Sequence, residues 1–245
     1  MVINFGGIPK IILVLRGGLL IRSWDYPNET HFIIWTRRAR KKKGSVQVIL
    51  FGNVGAFFAT TIASERPHWK IIAVSDPSAT LQNDKGLSVA ELAKYKENGG
   101  KFSDFVGTGV DVLSSASVLS VEVDVMSLAA LGGAITVDNN SEVKAKYILE
   151  LANGPVDADS GAELLSRGVE VVPDIIANAG GVIVSYLEWQ QNMNGQHWSE
   201  NEVNMKLAEY IVPATKSMIE LSEQNKVSLK KAAFILALKQ LLAAK

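Results

Sequence analysis

The chain has 245 residues, of which 47% are hydrophobic and 20% charged, so it is long and apolar enough to bury one sizeable core. Cysteine is absent, which excludes disulfides, thiolate metal sites and cysteine nucleophiles, and fits a reducing compartment such as the cytoplasm. The three histidines are too scattered to predict a metal site. The early apolar runs are each five residues long, so they predict neither a membrane span nor a targeting signal.

The net charge of zero conceals an asymmetry along the chain. Residues 1–45 hold nine Lys/Arg against two acids, which leaves 16 against 23 for the remainder. The run RRARKKK at 37–43 is able to attract phosphate backbones or acidic surfaces, but a solvated connector is the simpler interpretation because no basic, aromatic-rich groove accompanies it. Residues 1–45 show no sustained period of 2 or 3.6, so we expect an irregular N-terminal segment there.

From residue 46 to residue 245 the pattern predicts one dinucleotide-binding domain with C-terminal helices. Short apolar runs alternate with helical periodicity, which is typical of an α/β, Rossmann-like, doubly wound and mostly parallel sheet. The first half predicts strands in VQVILF and KIIAVSD, with a helix in VGAFFATTIASE between them. LSVAELAKYKENGG then predicts a helix that starts with a Ser88/Glu91 capping box and stops at glycine.

The second half continues the same alternation. Strands are predicted in VDVMSLAA, AKYILEL and VEVVPD, and SGAELLSRG predicts a short helix before the last of them. Two amphipathic helical stretches then fill residues 199–245, and the first begins with a Ser199/Glu202 capping box.

The stretch VILFGNVG, residues 48–55, is almost a phosphate-binding turn. The dinucleotide-binding pattern G-x-G-x-x-G has its second and third glycines here as Gly52 and Gly55, while Leu50 occupies the first position. Asp76 lies 21 residues beyond Gly55, close to the spacing of a carboxylate that binds an adenosine ribose. The alternative is a simple tight turn and a solvated aspartate. If the backbone at Leu50 needs the left-handed region, its side chain costs about 1–2 kcal/mol and weakens binding.

Two asparagines follow predicted strands in the second half. Asn153 stands in ELANGP, and Asn178 stands in a small-residue turn before a helix. A side-chain amide offers donors and an acceptor together, as recognition of a nicotinamide carboxamide requires. Asparagine also favours turns that bind nothing, so the residues alone leave both interpretations open.

Residues 46–245 resemble the cofactor-binding domain of the glutamate/leucine/phenylalanine/valine dehydrogenases, and PDIIANAGGVIVSYLEWQQN resembles the glutamate dehydrogenase branch. FGNVG, AVSD, KAKYILELANGP and AAFILALKQ agree with it in order and spacing. The resemblance implies an oxidoreductase that deaminates L-glutamate to 2-oxoglutarate. It assigns the pyrophosphate to the glycine turn, the ribose to Asp76, the nicotinamide side to two asparagines, and the substrate side-chain carboxylate to Ser185. The implied cofactor contacts are Gly52, Asn53, Val54, Gly55, Asp76, Ala129, Ala130, Asn153 and Asn178.

Three departures from the family pattern are bulky leucines: Leu50 at the first glycine, Leu128 before the alanines, and Leu151 before ANGP. The family's substrate domain, which carries the catalytic lysine and aspartate, has no counterpart in residues 1–45. We therefore expect a truncated or diverged chain with no catalytic residues of its own and weak or no turnover alone. Asp76 favours NAD, and NADP stays open because Lys70 or Lys85 could compensate. We expect glutamate or 2-oxoglutarate as ligands and a homo- or hetero-oligomer with a full-length dehydrogenase.

Two other functions stay open at this point. One is a noncatalytic nucleotide-binding partner of a full-length dehydrogenase. The other is a retired enzyme fold that uses the basic run at 37–43 to bind nucleic acid.

Overall fold

The computed structural model describes residues 44–49, 51–129 and 132–243. The basic run at 37–43, Leu50 and Ala130 lie outside these ranges, so the expectations for them stay predictions. Within the described residues, no helix is both long enough and apolar enough to cross a membrane.

The described residues contain one seven-stranded sheet. Its strands are β1 (Gly44–Ile49), β2 (Trp69–Ser75), β3 (Thr80–Gln82), β4 (Asp111–Leu113), β5 (Val125–Leu128), β6 (Tyr147–Glu150) and β7 (Glu170–Val172). They lie in the order β4-β3-β2-β1-β5-β6-β7. The neighbours β2, β1, β5, β6 and β7 are parallel, while β3 pairs antiparallel with both β2 and β4 at one edge. The predicted α/β, Rossmann-like fold with a mostly parallel sheet is confirmed.

Helices flank this sheet and extend beyond it at the C-terminal end. They are α1 (Asn53–Glu65), α2 (Val89–Glu97), α3 (Ala158–Ser166), α4 (Asp174–Ala177), α5 (Gly180–Asn194), α6 (Glu200–Asn225) and α7 (Leu229–Ala243). The capping box that starts α6 is confirmed: the Ser199 hydroxyl accepts from the Glu202 N–H at 3.3 Å, and the Glu202 carboxylate accepts from the Ser199 N–H at 2.7 Å.

The capping box predicted at Ser88 is wrong. Ser88 precedes α2, but its side chain makes no capping hydrogen bond. Its ψ is 94°, whereas Ser199 caps α6 with a ψ of 161°, so the Ser88 backbone does not adopt the conformation found at the working cap.

Buried side chains form two hydrophobic clusters, one on each face of the sheet. Consecutive strand residues divide between them: Val125 and Leu149 belong to one cluster, while Met126 and Ile148 belong to the other. Side chains alternate between the faces of a strand, so this division places a core on both sides of the sheet. Burial on both faces explains why the parallel strands are near-continuous apolar runs.

The strand order reverses beside β1. The chain leaves β1 toward β2 on one side and later returns to β5 on the other side. At such a switch point the loops after the two strands diverge and leave a crevice beyond their carboxyl ends, where open α/β sheets bind ligands.

Candidate functional site

A cleft of about 520 Å³ opens at this switch point. It lies beyond the carboxyl ends of β1, β2, β5 and β6. It is lined by Phe51, Gly52, Val54, Asp76, Pro77, Lys96, Ala129, Gly132, Leu151, Ala152 and Asn153. Five of the residues that the sequence singled out as cofactor contacts therefore share one cavity.

The N-terminus of α1 faces this cleft without a cap of its own. Gly52 precedes the helix, no side chain caps it, and the first turn contains no acidic residue. The first intrahelical bond is donated by the Ala56 N–H to the Gly52 carbonyl at 2.8 Å, so the N–H groups of Asn53, Val54 and Gly55 precede the helical ladder. Unpaired N–H groups and the positive end of the helix dipole together favour an anion such as a pyrophosphate.

The protein itself does not require glycine at position 52. The φ of Gly52 is −90°, which any residue adopts, and a Cβ built there meets nothing within 4 Å. The absent side chain therefore leaves open space in the cleft wall, as close approach by a phosphate requires.

Asp76 follows β2 and is 95% buried, since only 5% of its surface is exposed. Its Oδ1 accepts hydrogen bonds from the Ser78 N–H at 2.7 Å, the Ser78 hydroxyl at 2.5 Å and the Ala79 N–H at 3.1 Å. Its Oδ2 accepts from the Lys96 ammonium at 2.8 Å and the Phe102 N–H at 3.0 Å. Burial on its own would raise the pKa of Asp76, but the bonds from Lys96, Ser78 and Phe102 outweigh it and hold that pKa far below its usual range.

Lys96, in the last turn of α2, brings a positive charge to the same wall. Its Nζ lies 5.0 Å from the centre of the Phe102 ring, and that ring is 5.8 Å from the ring of Phe51, which also lines the cleft. Lys70 and Lys85, which the sequence offered as compensating cations, are exposed and do not line the cleft. Of the described residues that line the cleft, Lys96 is the cation.

Asn153 and Asn178 meet beside the other end of the cleft, although Asn178 itself is not part of the lining. The Asn178 Nδ2 donates to the Asn153 Oδ1 at 2.7 Å, and Asn153 is part of the lining. Asn178 follows α4 and Asn153 follows β6, so the sheet brings together two residues that are 25 positions apart. Among the described residues no hydrogen bond is made by the Asn153 Nδ2 or the Asn178 Oδ1, so one amino group and one carbonyl oxygen remain for a ligand amide.

The turn that carries Asn153 is held by two acids, of which Glu150 is buried and Asp174 is partly exposed. Glu150, fully buried at the end of β6, accepts from the Asp174 N–H at 2.9 Å, and Asp174 in turn accepts from the Gly154 N–H at 2.8 Å. Lys230 of α7 lies 3.6 Å from the Glu150 carboxylate. Burial is the largest influence and raises the pKa of Glu150, while the Asp174 N–H and Lys230 oppose it.

Ser185 is placed apart from these residues. It is exposed on α5, seven residues beyond Asn178, and does not line the cleft. Its predicted contact with a substrate carboxylate therefore stays a prediction.

The leucines that depart from the family pattern fall in different surroundings. Leu128 is fully buried in one core cluster and does not line the cleft. Leu151 is buried in the other cluster and does line the cleft, so its side chain narrows the cavity. Ala129, between β5 and the undescribed Ala130, is part of the lining as well.

Several lining residues were missed by the sequence reasoning. Lys96 carried no signal beyond its place in an amphipathic helix. Phe51 was seen only as the end of a strand. The engagement of Asp76 did have a signal, because Asp-Pro-Ser favours a turn in which the carboxylate accepts from the backbone two residues on. Among the described residues no group of three or more His, Asp or Glu side chains is arranged to hold a metal ion.

Comparison with known proteins shows the family to which the chain belongs. The family model for the glutamate/leucine/phenylalanine/valine dehydrogenases matches residues 32–245. The chain belongs to this dehydrogenase family. That membership supports a nicotinamide dinucleotide as cofactor and confirms the resemblance found in the sequence.

Individual members of the dehydrogenase family agree with the assignment. The chain is 36% identical over 231 residues to an NADP-specific glutamate dehydrogenase of Synechocystis sp., a match that covers 91% of this chain and 50% of the relative. It is 35% identical over 205 residues to an NAD-specific glutamate dehydrogenase of Staphylococcus aureus, covering 83% of this chain and 48% of the relative. The chain thus spans about half the length of these relatives.

A solved structure supports the fold. The hetero-hexameric glutamate dehydrogenase of Thermus thermophilus superimposes with a TM-score of 0.78 at 28% identity, covering 96% of this chain and 53% of the other. Because the two similar sequences differ in cofactor, the comparisons support NAD or NADP without choosing between them.

Proposed function

We propose that the chain is the cofactor-binding part of a glutamate dehydrogenase-like oxidoreductase, which deaminates L-glutamate oxidatively to 2-oxoglutarate with NAD or NADP. The observation that carries this proposal is the joining of two features in one cleft. The uncapped start of α1 at Gly52 lines it at one place, and the Asn153 side chain, hydrogen-bonded to Asn178, lines it at another. The first suits a pyrophosphate and the second suits a carboxamide.

The residues of the cleft serve binding and orientation. When bound, the nicotinamide ring supplies the hydride acceptor, which is chemistry that no side chain provides. In this proposal the N–H groups of Asn53, Val54 and Gly55 hold the phosphates, and the asparagine pair fixes the plane of the carboxamide. Fixing that plane decides which face of the ring meets the substrate, and such alignment contributes much of the rate in hydride transfer.

The family resemblance implies that proton transfer needs a lysine of lowered pKa and a carboxylate, and that both come from a substrate-binding domain. We therefore propose that this polypeptide alone turns over little glutamate. Ser185 is proposed as its contribution to the substrate side-chain carboxylate. Glutamate-dependent NADH or NADPH production by the purified chain at the rate of a full dehydrogenase would refute this part of the proposal.

Calorimetric titration with NADH and NADPH tests the binding proposal directly. We expect saturable binding of at least one of them to a single site, with ADP-ribose binding more weakly because it lacks the nicotinamide. The same titration on Leu50→Gly should show a gain of about tenfold if the leucine costs the bound state 1–2 kcal/mol. Absence of binding by both dinucleotides would overturn the proposal.

A second candidate function is supported by an exposed apolar face on α5. Val182, Tyr186, Trp189 and Met193 recur at helical spacing, and their exposed fractions are 75%, 44%, 56% and 67%. The Tyr186 ring stacks on Trp189 at 5.9 Å between centroids. Exposed apolar patches of this kind mark protein contacts. The face supports a noncatalytic role in which the chain assembles with a full-length dehydrogenase.

Sedimentation of the chain with a purified full-length glutamate dehydrogenase separates the two roles. Assembly predicts a complex that Trp189→Ser weakens and Val106→Ser leaves intact, because Val106 is 92% exposed but lies outside the α5 face. A chain that stays separate from the enzyme at all concentrations would contradict assembly and leave the binding proposal standing.

A further inference from the structure

The carboxylate of Asp76 has no acceptor capacity left for a ribose. A carboxylate offers about four lone-pair positions. Five donors already occupy them, three on Oδ1 and two on Oδ2. All five come from the protein, and the carboxylate lies 95% buried among them, since 5% of its surface is exposed. A ribose hydroxyl would have to displace one of these donors to bind it.

These bonds give Asp76 a structural task. The Asp76 N–H donates to the Ala79 carbonyl at 3.0 Å, which closes the turn between β2 and β3. The carboxylate then stabilises this turn through Ser78 and joins it to the loop at Phe102. A group that closes a turn and joins two segments is costly to release when a ligand arrives.

Lys96, unlike Asp76, keeps hydrogen-bonding capacity for a ligand. Its side chain is 28% exposed and lines the cleft next to Asp76. An ammonium has three donors, and Lys96 donates one of them to Asp76, while its position over the Phe102 ring holds the chain in place. Within the described part of the chain the Lys96 ammonium makes no other hydrogen bond, so donors remain on this lining residue for a ligand.

We propose that Lys96, rather than Asp76, reads the 2′ position of the adenosine ribose, and that the cleft therefore prefers a dinucleotide with a 2′-phosphate. This inference rests on the proposed function, because it takes the cleft to be the dinucleotide site. A 2′-hydroxyl finds no free carboxylate acceptor at this end, whereas a 2′-phosphate finds an ammonium whose partner Asp76 is already saturated. Lys70 and Lys85 do not line the cleft, so neither competes for the role.

The adenosine halves of the two cofactors test the inference without the nicotinamide. Calorimetric titration of the full chain with 2′,5′-ADP and with 5′-AMP should show tighter binding of 2′,5′-ADP by at least about tenfold. Lys96→Gln should remove most of that difference while the affinity for 5′-AMP changes less than about threefold, since only the 2′-phosphate loses a charged partner. Lys94→Gln removes the same charge from an exposed position of α2 outside the cleft, and should leave both affinities unchanged.

Lys96→Arg tests whether Lys96→Gln acts only by disturbing the structure. It keeps the charge, so it should retain the preference for 2′,5′-ADP that Lys96→Gln loses. Equal losses for both ligands in Lys96→Gln, or wild-type affinity for 5′-AMP that matches or exceeds that for 2′,5′-ADP, would overturn the inference. So would failure of both fragments to bind. If the fragments behave as expected but NADPH binds no tighter than 2′,5′-ADP, the inference stands and the nicotinamide site of the proposed function fails.

Discussion

The side chains of Asn153 and Asn178 are joined by a hydrogen bond of 2.7 Å, although the residues belong to different loops 25 positions apart. Each amide orients the other, so neither side chain is a free rotor at the end of the cleft. The pair presents one amino group and one carbonyl oxygen, which together are the complement of a carboxamide. Such preorganisation reduces the entropy lost when a ligand binds.

Removing the Asn178 amide should weaken nicotinamide recognition specifically. In Asn178→Leu the donor and acceptor are lost and Asn153 is released from its partner. We expect the affinity for NADPH to fall about tenfold, the equivalent of one good hydrogen bond, while ADP-ribose binds as before. Calorimetry with both ligands measures the difference. Asn194→Leu, at the far exposed end of α5, should change neither affinity. Equal losses for both ligands would show that Asn178 supports the fold and does not recognise nicotinamide.

A side chain at Gly52 should weaken dinucleotide binding more than it weakens the fold. Because an added Cβ meets nothing within 4 Å and the φ of −90° is ordinary, Gly52→Val should lower the free energy of unfolding by no more than about 1 kcal/mol, the cost of an apolar side chain at a helix N-cap. The same side chain fills the space needed by the pyrophosphate, so the affinity for dinucleotide should fall by tenfold or more. Urea unfolding and calorimetry give the two numbers.

Gly99→Ala serves as the control, because it should lower stability and leave the cofactor affinity unchanged. Gly99 has a φ of +79° and open space around it, and it does not line the cleft. Alanine there should cost about 1 kcal/mol of stability, because the left-handed region disfavours a side chain, and should leave the cofactor affinity unchanged. If Gly52→Val destabilises the protein as much as it weakens binding, glycine at 52 serves the fold.

The sequence predicted the sheet well because five parallel strands are buried on both faces. Near-continuous apolar runs such as KIIAVSD stand out from the periodic helices beside them, and the strand and helix bounds agree to within a few residues. β3 and β4 were missed because each has three residues, too few for any period to show. The Ser88 cap was predicted wrongly since a capping box depends on a backbone ψ that the residue types do not fix.

Part of the cleft was also predicted, because its residues follow the strands that the sequence predicts. Gly52 and the asparagines follow strands, and carboxyl ends of parallel strands meet at one edge of a sheet, so their proximity followed from the strand order. Lys96 reaches the cleft from α2, which packs against α1, a tertiary placement that spacing does not reveal. The saturation of Asp76 likewise depends on the Phe102 loop, which joins it from 26 positions away.

The Asp76 carboxylate should make stability depend on acid pH. Its pKa is lowered in the folded protein from the ordinary 3.8, so its contribution is fully present above about pH 4 and is lost as the pH falls below that value. Asp76→Asn breaks a buried pair and should lower the free energy of unfolding at pH 7 by about 3 kcal/mol. The gap between wild type and variant should narrow as the pH is taken from 4 toward 2. Urea unfolding across this range measures it.

The control for this prediction is Asp84→Asn, since Asp84 is exposed and bonded only to the Gln82 side chain among the described residues. It should change stability by less than about 0.5 kcal/mol at every pH. A gap at Asp76 that stays constant down to pH 2 would mean that hydrogen-bond geometry, and not the charge, accounts for the loss.

Glu150 should show the opposite pH dependence. Burial raises its pKa in the folded protein, so the folded state keeps a proton that the unfolded chain has released, and the free energy of unfolding falls as the pH rises from about 4 through the raised value. Glu150→Gln keeps an acceptor for the Asp174 N–H and removes the buried charge. Because Lys230 is partly exposed and can be hydrated again, we expect the variant to be more stable by about 1 kcal/mol at pH 7.

This gain should vanish below pH 4, where the wild-type carboxyl is protonated and resembles the amide. Glu122→Gln removes an exposed carboxylate and should leave the free energy of unfolding within about 0.5 kcal/mol of wild type throughout. Urea unfolding at pH 4 and pH 7 distinguishes the outcomes. If Glu150→Gln instead destabilises the protein at pH 7, the attraction between Glu150 and Lys230 outweighs the cost of burying the charge.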